Sequence, residues 1–152
     1  MTVESVLKRK GGAIFTTTPE DIVGDIVGRF KKNKAGSLMV IDHAGKLVGI
    51  LTERDVIYAL GDQGPDMLSL PVSEIMVKAK LRCHLHDTVA RALELMGRSK
   101  TRYLPVVGKN HLLGVISILD LVEHRLSETE DDAHWMIKYI TGDYSISYDN
   151  AG

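Results

Sequence analysis

One pattern occurs twice in this chain, and that repetition limits the possible folds more than any other feature. Gly49-Ile50-Leu51-Thr52-Glu53-Arg54-Asp55 returns 65 positions later as Gly114-Val115-Ile116-Ser117-Ile118-Leu119-Asp120. Upstream, Asp21-Ile22-Val23-Gly24 is answered 66 positions on by Asp87-Thr88-Val89-Ala90, so one residue differs in an intervening loop. Val3-x-x-Val6-Leu7 is answered by Val72-x-x-Ile75-Met76. Each copy spans about sixty residues, and two fill the chain to about Leu126. Units this small bury little core alone, so the copies are expected to pack together about a pseudo-two-fold axis. The expected boundaries are 1–66 for the first repeat, 67–127 for the second and 128–152 for a C-terminal helix and tail.

Within one copy, Thr18-Pro19-Glu20-Asp21 reads as a helix start, with Thr as N-cap and Pro at the first helical position. Ile22, Val23, Ile26, Val27 and Phe30 then form one apolar helical face, ended by Ala35-Gly36. Leu38 to Ile41 reads as a buried strand, His43-Ala44-Gly45 as a turn and Leu47 to Leu51 as the returning strand. Thr52 caps a second helix with Val56, Ile57, Ala59 and Leu60 on its inner side. The second copy repeats this with Val89, Ala92, Leu93 and Met96, strands Tyr103 to Val107 and His111 to Ile116, and Ser117 as cap. A short strand before each first helix (Ala13 to Thr16, Ala79 to Cys83) completes an α+β unit of order β-α-β-β-α. Asp62 to Leu70, with Gly64-Pro65, is the turn-rich joint. Glu128 to Ile140, acidic at its start, reads as one more helix.

Composition enters through what it removes. Nineteen basic and twenty acidic side chains give a formal net charge of −1. No long-range field favours nucleic acid or an anionic membrane. A single cysteine, Cys83, excludes an intrachain disulfide and multi-cysteine zinc patterns. No apolar run has transmembrane length, and Met1-Thr2-Val3-Glu4 does not read as a leader, so a cytoplasmic protein is expected.

Thr52-x-x-Asp55 and Ser117-x-x-Asp120 lie where a glycine-containing strand turns into a helix. Two purposes suit that pattern. It makes a capping box, with the acidic residue reaching back to the cap. It also makes a ligand site: a hydroxyl and free N–H groups at a helix start favour an anion, while the nearby carboxylate suits the vicinal hydroxyls of a ribose. Adenine would then lie between aliphatic strand residues such as Ile50 and Val115.

The repeated Gly-hydrophobic-hydrophobic-Thr/Ser-x-x-Asp, with Leu104-Pro105-Val106-Val107 before the second copy and Leu70 to Met76 at the joint, resembles a tandem CBS domain or Bateman module of the stand-alone bacterial type. The resemblance covers about Val3 to Leu126. It departs at Met39, which stands where Pro105 lies in the second copy, and at Gly108, which answers Asp42. It implies two clefts for adenine nucleotides (AMP, ADP, ATP, NAD(H)) or S-adenosylmethionine. Asp55 and Asp120 would hold ribose, and Thr52 and Ser117 ribose or phosphate. Lys10-Gly11-Gly12 would face Asp120, and Val77-Lys78-Ala79 would face Asp55, with Arg54 and Arg102 reaching phosphates. Since Leu119 answers Arg54, the clefts are expected to differ.

His84-x-His86 lacks a third metal ligand at recognisable spacing, and Cys83 has no partner base. No metal and no catalytic residue is expected. The expected function is a non-catalytic adenine-nucleotide sensor that modulates an unidentified partner or its own assembly. The alternative is a ligand-free dimeric scaffold whose motifs are only caps. Helices carrying Val56, Ile57, Leu121 and Val122 are expected to leave apolar surface outside, hence a homodimer, with Trp135 and Ile140 near its interface.

Overall fold

The computed structural model describes residues 1–109 and 111–126. The helix expected over Glu128 to Ile140, with Trp135, lies outside the described residues. Helix α1 (Val3–Lys10) starts at Thr2, whose hydroxyl accepts from Ser5 N while Ser5 Oγ answers the Thr2 backbone, and ends at Gly11. Gly11 and Gly12 have φ of 58° and 101°, a backbone that favours glycine. There follow β1 (Thr16–Thr17), α2 (Val23–Ile26), α3 (Gly28–Asn33), β2 (Ser37–Ile41), β3 (Leu47–Thr52) and α4 (Glu53–Gln63). Two 3-10 turns, Gly64–Ser69 and Val72–Glu74, lead to β4 (Val77–Lys78). The second repeat supplies α5 (Val89–Ser99), β5 (Tyr103–Gly108), β6 (His111–Ser117) and α6 (Ile118–Leu126).

One sheet has the order β1-β2-β3-β4, and the other is the β5-β6 hairpin. Ser37 opposite Thr52 and Tyr103 opposite Ser117 hold the same place in their hairpins. The apolar cores cross over. Val3 and Val6 of α1 are buried with Leu104, Val106, Ile116 and Leu121 of the second repeat. Met67 and Val72, from the joint, are buried with Val23, Ile26, Leu38 and Leu51 of the first. Met39, Leu47, Ala79 and Val107 form a third cluster between the two. Each repeat's core is thus closed by the segment preceding the other repeat. This is the α+β paired-repeat architecture the internal duplication implies.

The repeated glycine owes its place to that crossing. A Cβ on Gly114 would stand 2.8 Å from Leu7 Cδ2 of α1, and one on Gly49 would meet the Met76 sulfur. Leu7 and Met76 answer each other in sequence, so both hairpins receive a side chain where glycine leaves room.

Several local expectations are corrected. Thr18 does not cap a helix: Asp21 Oδ2 accepts from Thr18 N at 2.9 Å and Thr17 Oγ1 at 2.6 Å, closing a turn before the helix begins at Val23. Those bonds hold the Asp21 carboxyl below its usual pKa of 3.8. The expected continuous helix is divided at Val27, and Ile22 is exposed. The first strand is Thr16–Thr17 rather than Ala13 to Thr16. Ala79 to Cys83 is not a strand; only Cys83 bridges Val106, because Ala79 is drawn into the inter-repeat core and Arg82 Nε and Nη2 donate to Ala79 O and Leu47 O. On α4, Ala59 is buried but Ile57 is 63% exposed and Leu60 46%, so the helix turns those two outward. Leu121 and Val122, expected outside, are buried; Leu121 packs in one cluster with Val3 and Val6 of α1.

Candidate functional site

Both repeated motifs form closed capping boxes. Thr52 Oγ1 accepts from Asp55 N at 3.2 Å, and Asp55 Oδ2 accepts from Thr52 N at 2.8 Å and Thr52 Oγ1 at 2.9 Å. Ser117 Oγ accepts from Asp120 N at 3.0 Å, and Asp120 Oδ2 accepts from Ser117 N at 2.8 Å. The carboxylates differ in what else they hold. Lys10 Nζ lies 2.7 Å from Asp120 Oδ2 and donates to Val115 O at 2.9 Å. Asp55 has no ion pair among the described residues.

A cleft of about 670 Å³ opens beside the second motif. Its walls are Lys10, Gly11 and Gly12 at the end of α1, Ile14 and Phe15, the stretch 34–37 of the first repeat, Arg102 and Tyr103, Val115 on β6, and Ser117 to Leu119. Asp120 does not itself line this cleft; it pairs with Lys10, which does. Beyond that pair a further cavity of about 320 Å³ is lined by Val6, Arg9, Lys10, Asp120, Glu123 and His124. The cleft beside the first motif is smaller, about 200 Å³, lined by Ile50, Thr52 to Asp55, Val77 and the stretch 99–103. Sites for small ligands usually span about 300–1,000 Å³, so the Asp120 cleft falls within that range and the Asp55 cleft below it.

The structure therefore gathers Lys10, Gly11, Gly12, Arg102, Val115 and Ser117 around one cleft, with Asp120 tied to it through Lys10 and lining the adjoining cavity, and Ile50, Thr52, Arg54, Asp55 and Val77 around the other. It does not bring Lys78 or Ala79 to either. Lys78 pairs with Gly49 in the sheet, and Ala79 is buried among Met39, Leu47 and Val107. Arg102 lines both clefts.

Tyr103, Gly36, Lys34 and Lys100 were not singled out from sequence. Tyr103 lines both clefts, and a Cβ on Gly36 would collide with its hydroxyl. Burial, then the Glu53 carboxylate, pushes the Tyr103 phenol above its usual range, with Arg102 opposing. Comparing Ser37 with Tyr103, small in one copy and aromatic in the other, would have exposed this position.

The other candidates carry no site. Burial first, then Asp87, pushes the Cys83 thiol up to about 12, so it stays protonated and unreactive at neutral pH. Among the described residues no group of three or more His, Cys, Asp and Glu is placed to hold a metal ion. Nor is any helix there long and apolar enough to cross a membrane.

Two repeats that close each other's cores, each carrying the same motif where its hairpin turns into a helix, define a tandem-repeat module. The CBS-domain family profile matches residues 3–62 and 72–127, and the chain belongs to that family. It is 32% identical over 151 residues to the mitochondrial CBS domain-containing protein CBSX3 of Arabidopsis thaliana, covering 94% of this chain and 73% of that one. A CBS-domain containing protein of Agrobacterium tumefaciens superposes with a TM-score of 0.78 at 35% identity, over 82% of this chain and 92% of its own. A CBS domain protein of Pyrobaculum aerophilum, solved in complex with AMP, superposes at 0.70 over 79% of this chain and 89% of its own. At 23% identity that last likeness concerns the fold.

Proposed function

We propose that this protein is a non-catalytic regulatory module that binds an adenine nucleotide, foremost in the Asp120 cleft. The observation that carries this is the convergence on that cleft of the helix-start hydroxyl of Ser117 with Lys10, Lys34, Arg102 and the aliphatic Val115, and with the Asp120 carboxylate held at its edge by Lys10. Ribose hydroxyls would donate to Asp120, phosphate would meet Ser117 and the cations, and the base would lie on Val115. The AMP complex of the Pyrobaculum protein supports the ligand class. Lys10 pairs with Asp120; a nucleotide would exchange that internal pair for Asp120–ribose and Lys10–phosphate contacts. Lys10 ends α1, so the exchange would shift a helix packed on the second repeat, the differential contact that a switch requires.

A homodimer fits the exposed Ile57, Tyr58 and Leu60 on α4. A reducing compartment such as the cytoplasm fits the single thiol. The regulated protein is an unidentified partner; neither nucleic acid nor membrane is invoked. The closed capping boxes favour one second reading, a ligand-free scaffold in which Thr52, Asp55, Ser117 and Asp120 only start helices.

Calorimetric titration with AMP, ATP, NAD(H) and S-adenosylmethionine, after a check for co-purified nucleotide by absorbance at about 260 nm, separates the two readings. Saturable binding of at least one phosphorylated ligand is expected. Heatless titrations with all four, on protein free of nucleotide, would leave the scaffold.

A further inference from the structure

The two clefts share a wall. Arg102 and Tyr103 line both of them. The hairpin register identifies their counterparts: Tyr103 answers Ser37, and Arg102 answers Gly36. At this place the first repeat contributes neither a cation nor a ring, and the second repeat contributes one of each to both clefts. Because a Cβ on Gly36 would collide with the Tyr103 hydroxyl, the ring lies across the repeat boundary against the opposite copy. The same hydroxyl lies within electrostatic reach of Glu53 beside one cleft, Asp120 beside the other, and the Arg102 guanidinium. The other cations belong to one cleft each: Lys10 and Lys34 on the Asp120 side, Arg54 and Lys100 on the Asp55 side.

A guanidinium binds one phosphate in a two-pronged, directional geometry and does not divide that geometry between two anions. On the reading that both clefts take adenosyl ligands, we propose that Arg102 is a single anion-binding residue shared between them. Phosphorylated ligands therefore bind the two clefts with negative coupling, while neutral adenosyl ligands bind them without it. The private lysines and Arg54 keep double occupancy possible, at a reduced second affinity. Coupling of this kind is reciprocal, so either cleft filled first weakens the other by the same factor.

Calorimetry on the full chain, using AMP and neutral 5′-methylthioadenosine as probes, tests this with wild type, Asp120→Ala, Arg102→Gln and the double variant. Asp55→Ala assigns the heat that belongs to the Asp55 cleft. With the Asp120 cleft disabled, the Asp55 cleft is expected to bind AMP about fivefold or more tightly than it does as the second event in wild type, including unmasking a site silent there. That gain is expected to vanish in the Arg102→Gln background and to be absent for 5′-methylthioadenosine. An unchanged AMP affinity at the Asp55 cleft, no AMP binding there in Asp120→Ala, or a gain that persists without Arg102 would each overturn the sharing. Should Asp120→Ala not fold, wild type and Arg102→Gln alone decide: the ratio of the two AMP affinities must narrow about fivefold or more in the variant, with the ratio for 5′-methylthioadenosine unchanged. A chain that binds neither probe anywhere defeats the adenosyl reading itself, whereas uncoupled binding of both probes defeats only the sharing.

Discussion

The Asp55 and Asp120 clefts are headed by nearly the same motif, yet one measures about 200 Å³ and the other about 670 Å³. The difference comes from the segments that close them. Val77 of β4 pairs with Ile50, and Lys78 with Gly49, so the joint lies along the edge of β3 and narrows the first cleft. The corresponding segment after α1 leaves the helix through Gly11 and Gly12 without joining the second sheet, and delivers Lys10 to Asp120 instead. Duplicated motifs thus became unequal through what packs on them. A short strand gave one cleft a lid, and a full helix gave the other a cation.

The sharpest test of the inequality is removal of the carboxylates. Asp120→Ala should weaken nucleotide binding tenfold or more, since a hydrogen bond to a charged group contributes about 1.5–3 kcal/mol. Asp55→Ala should cost less, and the double variant should show no calorimetric signal while keeping a folded circular dichroism spectrum. Equal losses from the single variants would erase the distinction between the clefts.

Next in size is the effect of filling the motif glycines. Gly114→Ala places a methyl against Leu7, an overpacking that usually costs about 1–3 kcal/mol. Leu7→Ala should recover much of that in a double-mutant cycle read by denaturant unfolding. For Gly49→Ala, Met76→Ala should recover less, because the Val77 carbonyl at 3.1 Å from the new methyl belongs to β4 and cannot withdraw like a side-chain tip.

Lys10→Met sharpens the comparison through ligand charge. It removes a cation from AMP and a competitor from Asp120, so AMP should bind more weakly and 5′-methylthioadenosine more tightly. Each change should be up to about fivefold, since an ion pair this exposed contributes at most about 1 kcal/mol. Movement of both ligands in the same direction would show that Lys10 does not exchange between carboxylate and phosphate.

The smallest effect is a pH dependence confined to the first repeat. The Asp21 carboxyl has a lowered pKa in the fold, owing first to the Thr17 hydroxyl and then to the Thr18 N–H. A depressed carboxyl contributes stability above its unfolded value and loses it as pH falls through the folded one, here in the acid range below the ordinary 3.8. Asp21→Asn should lower stability at neutral pH by about 1 kcal/mol, the usual worth of such a bond. It should also flatten the acid limb of thermal midpoint against pH.

The parts of the site readable from sequence were those built by local rules. Thr52, Asp55, Ser117 and Asp120 act within one helical turn, and a capping box needs no distant partner. Thr18 to Asp21 carried a similar signal yet formed a turn, because the bonds of Asp21 compete with helix initiation at the same backbone. Ile57 and Leu60 followed helical spacing, but spacing does not say which face another helix will cover. The pairing of Lys10 with Asp120 was legible only through the family resemblance, since 110 residues separate them.

By itself the sequence determined the α+β repeat unit, its duplication and the two helix starts that head the clefts, because periodicity, turn residues and caps act over a few residues. Only the tertiary structure decided that α1 closes the second repeat's core while Met67 and Val72 close the first's, that β4 narrows one cleft, and that Tyr103 lies against Gly36 between them. Those outcomes depend on apolar surfaces far apart in the chain meeting at close-packed density, where room for one side chain requires a glycine from another repeat.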